Sequence, residues 1–122
     1  MITGVVSPYR EPVIRLQLRG PGGRVEVDTV VDTGFTDFLT LPPALVGRLA
    51  LPLGGSMRVA LADGSEVDLD VYTVEVLWDG RVLSVPALEA DGGLLAGMSL
   101  LHGHELPMQV VDGGQVTIQA LP

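Results

Sequence analysis

The stretch Val30-Val31-Asp32-Thr33-Gly34, with Phe38-Leu39-Thr40-Leu41-Pro42 close behind it, decides the reading of this chain. Two β-branched apolar residues run straight into an Asp-Thr-Gly turn, and a second apolar run leaves it. A strand end is a rigid platform, so a carboxylate displayed there on a tight turn is a candidate for chemistry. The tripeptide occurs once in the 122 residues.

Upstream of that turn the chain alternates. Val13 to Arg19 places Ile14, Leu16 and Leu18 on one face and Arg15, Gln17 and Arg19 on the other, the period of a half-buried strand. Pro21-Gly22-Gly23 turns the chain. Arg24 to Val31 then alternates Val25, Val27 and Thr29 with polar neighbours until Val30-Val31 makes it continuously apolar, a change that predicts burial on both faces.

Downstream, Phe38 to Leu41 reads as a buried strand, and Pro42-Pro43 opens a short helix through Leu49 that Gly47 weakens. Met57 to Leu61, the turn Ala62-Asp63-Gly64-Ser65 and the run Glu66 to Trp78 form the clearest hairpin, with Asp-Gly between apolar arms. In the second arm Val67, Leu69 and Val71 share one face and Val74, Val76 and Trp78 the opposite one, which predicts a bend or bulge near Tyr72-Thr73. Asp79-Gly80 turns into Arg81 to Leu88, and Asp112-Gly113-Gly114 joins two terminal strands, Leu106 to Val111 and Gln115 to Ala120. Repeated hairpins without a sustained helical period predict an all-β fold, a small closed barrel or sandwich with one or two short helices. No linker, low-complexity tract or repeat divides residues 1–122, which read as one domain.

Composition narrows the function. Hydrophobic residues make up 47% but aromatics only 4%, so the core is built from Val and Leu, and a chain of this length buries roughly two-thirds of its unfolded surface. The net charge of -8 opposes a nucleic-acid backbone or an anionic membrane surface. No segment approaches the roughly 20 apolar residues of a membrane span, and Met1-Ile2-Thr3-Gly4 lacks the basic and then apolar regions of a signal peptide, so a cytoplasmic protein is expected. With no Cys there is no disulfide, thiol nucleophile or thiolate metal site.

The chemistry turns on Asp32. A lone carboxylate is a mediocre base and a poor acid at neutral pH, but two carboxylates held a few ångström apart cannot both ionise and share one proton. The ionised member then takes a proton from water while the protonated one polarises a carbonyl. With one Asp-Thr-Gly per chain, the second carboxylate has to be Asp32 of a second copy brought in by a two-fold axis, an obligate homodimer whose dyad titrates as a pair.

On these residues the chain resembles the retropepsin-like aspartic proteases, the single-domain dimeric relatives of the pepsins, and particularly their small bacterial members. The resemblance extends to Leu94-Leu95-Ala96-Gly97-Met98-Ser99-Leu100-Leu101, which is similar to the apolar-apolar-Gly motif that runs into the family's short helix and supports the catalytic loop from beneath. It covers Val13 to Ala120 and implies an acid-protease barrel acting on peptides, without metal or organic cofactor. By the same resemblance Asp32 is the catalytic carboxylate, Thr33 bonds across the dimer axis, Gly34 lets its backbone approach the carboxylate and substrate, and Gly97 packs beneath the loop. Ala62, Asp63 and Gly64 would form the tip of a mobile flap. The terminal segments, Met1 to Tyr9 and Gln115 to Pro122, become candidates for the dimer interface, because the better-known relatives interlace their ends.

Some residues depart from this pattern or invite another. Phe35 follows Gly34 where the better-known relatives carry Ala or Ser, and a ring there bears on specificity and optimal pH. Asp63 is expected to point outward as turn chemistry. His102, His104 and Glu105 lack a further metal ligand, Asp37 reads as loop entry, and Ser65 and Ser99 have no His and Asp at a hydrolase spacing. Two other functions stand beside a peptidase: a catalytically silent dimeric β domain that binds an extended peptide or serves in assembly, and a monomeric β-barrel binding protein.

Overall fold

The computed structural model describes all residues from Met1 to Pro122. Alternation sets its first three strands, β1 (Ile2–Val6), β2 (Pro12–Gly20) and β3 (Gly23–Val31), an antiparallel meander. Ile14, Leu16 and Leu18 are buried while Arg15 and Arg19 reach outward to Glu26, Asp28 and Glu75. Exposed ion pairs contribute at most about 1 kcal/mol each, whereas a fully buried Leu or Ile contributes about 1.5–3 kcal/mol. The apolar set therefore fixes which face of β2 turns inward.

β3 ends where its pattern changes: Val30 is half-buried and Val31 buried. β4 (Leu39–Leu41) is buried throughout, and α1 (Pro43–Arg48) starts behind Pro42 and buries Leu45 and Val46. β5 (Leu53–Ala60), β6 (Glu66–Trp78) and β7 (Arg81–Glu89) continue as hairpins, and β8 (Leu95–Ala96) leads into the single turn α2 (Met98–Leu101). β9 (His104–Glu105) and β10 (Gln115–Ala120) end the chain.

Six strands close a barrel in the order β6-β7-β4-β8-β3-β2, sealed by Gln17, Leu18 and Arg19 of β2 against Leu77, Val76 and Glu75 of β6. Two pairings inside it are parallel, β3 with β8 and β4 with β7. The first sets the Leu95-Ala96 strand directly beside the strand that delivers Asp32. One apolar core runs through the barrel, with Leu18, Leu39, Val76, Ala96, Val116 and Ile118 completely enclosed.

Two expectations shift. The face of β6 switches at Val71 and Tyr72 as the sequence requires, but the irregularity sits on the facing strand, where the register slips between Leu53 and Gly55. Gly55 has φ +130, a conformation open to glycine and costly for other residues, so the bulge settles on β5. Leu106 to Val111 is not a regular strand. Pro107 has no N–H to give to a ladder, and the segment follows β10 only through a bridge between Met108 and Val116 and bonds at Pro107 and Gln109.

Candidate active site

Asp32 follows the last residue of β3 and opens the turn at that strand's end. Its amide donates to the Ala96 carbonyl at 2.9 Å, which extends the parallel β3–β8 pairing by one residue. Its carboxylate Oδ1 accepts the Gly34 amide at 2.9 Å, and its carbonyl accepts the Phe35 amide at 3.1 Å. A carboxylate held by a backbone N–H two residues on is a closed Asx turn. The side chain is half-buried, while Thr33 and Gly34 are exposed at the turn. A Cβ on Gly34 would meet Asp32 Oδ1 at 3.2 Å, closer than most such contacts, so glycine leaves that oxygen room.

Beneath the turn, the segment Gly97-Met98-Ser99 braces the descending loop one carbonyl at a time. The Met98 amide donates to Phe35 O at 2.7 Å, Ser99 Oγ to Thr36 O at 2.6 Å, the Ser99 amide to Asp37 O at 3.2 Å and the Gly97 amide to Phe38 O at 2.9 Å. Free N–H groups at the start of a helix need acceptors, and here the loop supplies them. Gly97 is where the two segments touch most closely. A Cβ there would lie 2.2 Å from Asp37 O and 2.6 Å from the Phe35 ring. The Phe35 ring is half-buried over this glycine, so its bulk is taken up by the support beneath the turn.

Two supporting residues carry no motif signal. Ser99 gives both its donors, hydroxyl and amide, to the loop. Thr40 is buried on β4, where its hydroxyl donates to Gly93 O at 3.2 Å and accepts the Leu95 amide at 3.0 Å. It ties β4 to the strand that enters the second motif.

The Ala62-Asp63-Gly64 tip stands on an arm that leaves the barrel, since Glu66 to Asp70 pair with β5 alone. The tip is closed by Leu61 N to Ser65 O at 2.8 Å and Gly64 N to Leu61 O at 3.0 Å, with Gly64 at φ +86. Asp63 is exposed and its Oδ1 accepts the Ser65 hydroxyl at 2.5 Å and amide at 2.8 Å. The Ser65 hydroxyl, and next its amide, hold the Asp63 carboxyl below the ordinary value of 3.8. Met57 and Val59 alternate with Ser56, Arg58 and Ala60 along β5, Leu61 follows at its end, and Val67 and Leu69 face Val59 and Met57 across the hairpin. The arm thus has one apolar side and one charged side, the latter carrying Arg58 with Glu66 and Asp68.

His104 is committed elsewhere. Its Nε2 accepts the Trp78 indole N–H at 3.2 Å and its Nδ1 lies 3.0 Å from the His102 carbonyl, with the two rings edge to face. His102 is exposed at the end of α2, and Asp37 lends its backbone carbonyl to Ser99.

A barrel in which an Asp-Thr-Gly strand end pairs in parallel with a short apolar strand, and a Gly-led helical turn braces the loop, is the retropepsin-like fold. Solved structures place it there by shape. A retropepsin-like aspartic protease from Rickettsia conorii matches with a TM-score of 0.59 at 15% identity, over 99% of this chain and 91% of that one. The EIAV protease complexed with the inhibitor HBY-793 matches with a TM-score of 0.58 at 20% identity, over 77% of this chain and 88% of that one. No protein-family model matches the sequence, and no curated protein matches it.

Proposed function

We propose that this protein is an aspartic endopeptidase whose site is completed by a second copy of the chain. The observation that carries this reading is the fixing of Asp32: its amide, carbonyl and carboxylate are each bonded, and the loop behind it is braced at Phe35, Thr36, Asp37 and Phe38. A carboxylate that only closed a turn would not need that support. Rigid placement is what general acid-base chemistry demands of its groups.

In the dimer the two Asp32 carboxylates share one proton. The ionised one removes a proton from a water held between them, and the oxygen attacks the peptide carbonyl carbon while the protonated one donates to the carbonyl oxygen. Collapse of the tetrahedral intermediate returns a proton to the leaving nitrogen. The β5–β6 arm covers the peptide, its apolar side against the substrate, and its closure excludes water. The site calls for no metal or organic cofactor.

The test is cleavage of an unbiased peptide library from acid to neutral pH by the protein and by Asp32→Asn. Cleavage that disappears in the variant, with a bell-shaped pH profile in the parent, supports the dyad. Cleavage retained by Asp32→Asn overturns it, and silence from both proteins favours a peptide-binding or assembly role.

A further inference from the structure

The reading of Asp32 as half of a shared site leaves the contact surfaces to be found, and strand pairing restricts them. β1 is bonded to β2 on one edge and β10 on the other. β10 has β1 on one edge, with β9 and the Met108 bridge on the other. Val6, Val116 and Ile118 are buried in the subunit's own core. Within the subunit β10 therefore has both edges occupied, and β1 leaves open only Ile2 and Thr3 on its β2 side.

Two exposed apolar side chains, Tyr9 and Met98, instead flank the end of β3. Val13 lies opposite Val30 in the β2–β3 register, and carrying that register onward sets the Ser7–Glu11 turn beside the Asp-Thr-Gly loop. Tyr9 on this turn is 84% exposed, more than any other large apolar side chain of the protein. On the opposite flank of β3, β8 leads into α2, where Thr36, Phe38, Met98, Ser99 and His102 line an open groove. Met98 in that groove is 45% exposed.

A protruding ring thus stands on one flank of Asp32, and on the other an open groove in which Phe38 and Met98 lie among Thr36, Ser99 and His102. A two-fold axis beside Asp32 exchanges the flanks, so each ring meets the other copy's groove and the contact is made twice. We propose that a second copy of the chain docks in this way, with Tyr9 seated between the partner's Phe38 and Met98, while each subunit keeps its terminal strands to itself. Tyr is among the side chains that most often supply interface energy. The inference rests on the two-copy reading of Asp32, and it makes Tyr9 the residue that brings the two carboxylates together.

The chain contains no Cys, so single cysteines report contacts cleanly. Tyr9→Cys and Met98→Cys are prepared separately on an Asp32→Asn background, one carrying a size tag, then mixed and treated with a short bis-maleimide. The expected result is a mixed covalent dimer in clear excess over same-protein dimers. In parallel, sedimentation of Tyr9→Ser should show a dimer Kd raised roughly ten-fold or more with circular dichroism unchanged, while removal of Leu121-Pro122 leaves Kd as it was. No mixed species, or an unchanged Kd for Tyr9→Ser, in a protein that does dimerise overturns this docking mode and leaves the dyad standing. A chain that stays monomeric while cleaving through Asp32 overturns both.

Discussion

The Phe35 ring and Gly97 fit each other through a missing methyl group: a Cβ on Gly97 would stand 2.6 Å from Phe35 Cδ2 and 2.2 Å from the Asp37 carbonyl oxygen. The two contacts differ in kind. A ring can turn aside, but the carbonyl belongs to a loop whose neighbouring carbonyls are bonded to the Gly97–Ser99 segment.

Gly97→Ala should therefore destabilise the protein by about 1–3 kcal/mol and displace Asp32 along with its loop. Urea unfolding and kcat/KM measure the two effects. Phe35→Ala in the same chain should relieve the ring contact and leave the carbonyl contact, giving partial rescue. Full rescue would mean that the ring, and not the backbone, sets the spacing, and unchanged stability in Gly97→Ala would mean that the loop has slack.

Ser99 offers a gentler probe of the same brace. Ser99→Ala removes the Oγ to Thr36 O bond at 2.6 Å and keeps the backbone bond to Asp37 O at 3.2 Å. The expected cost is about 1 kcal/mol of stability. Loosening the loop should lower kcat more than it raises KM, because Ser99 holds the loop behind Asp32 and, in the proposed site, the peptide lies on the other side of the turn. An effect confined to KM would place Ser99 in substrate binding instead.

The fold was legible wherever one face of a strand is buried. Ile14, Leu16 and Leu18 disclosed β2, and the shift to Val30-Val31 disclosed the strand end that carries Asp32, because burial leaves a period in the sequence. β6 and β10 were readable to the residue, bounded by Asp-Gly and Gly-Gly turns. β1 was not: Thr3, Gly4 and Val5 carry no alternation, since Val5 is exposed and Gly4 serves close packing against β2, where a Cβ would lie 2.1 Å from Val13 O. Ser99 and Thr40 were invisible for a different reason. Their partners are backbone carbonyls and amides far away in sequence, and such bonds leave no pattern of side chains to read.

Trp78 is the only tryptophan, and it is buried with its indole N–H given to His104. His104→Ala takes away that acceptor and half of the edge-to-face pair. A buried donor left without a partner costs about 1–3 kcal/mol, so the unfolding midpoint should fall and the fluorescence emission should move to longer wavelength as water reaches the indole. His104→Gln, which keeps an acceptor near the same place, should restore part of both. Emission unchanged in His104→Ala would show that the indole finds another partner.

Asp63 couples the tip of the β5–β6 hairpin to pH. Its two bonds from Ser65 hold the carboxyl below 3.8 in the folded chain. A lowered folded value means that the ionised turn is stabilised fully above the unfolded value, and that this support is lost as pH falls through the lower folded one. The tip should thus remain closed in mildly acidic solution, where a shared-proton dyad works, and loosen only in stronger acid. Asp63→Ala removes the support at every pH. The ratio of its KM for a peptide substrate to that of the parent should therefore be above one and level at pH 5 and above, a range well clear of the ordinary value of 3.8, and should fall toward one as the parent's own carboxyl takes up its proton. A ratio that stays constant into acid would show that the ionised Asp63 does not hold the tip, and a ratio of one throughout would show that the tip does not meet the peptide.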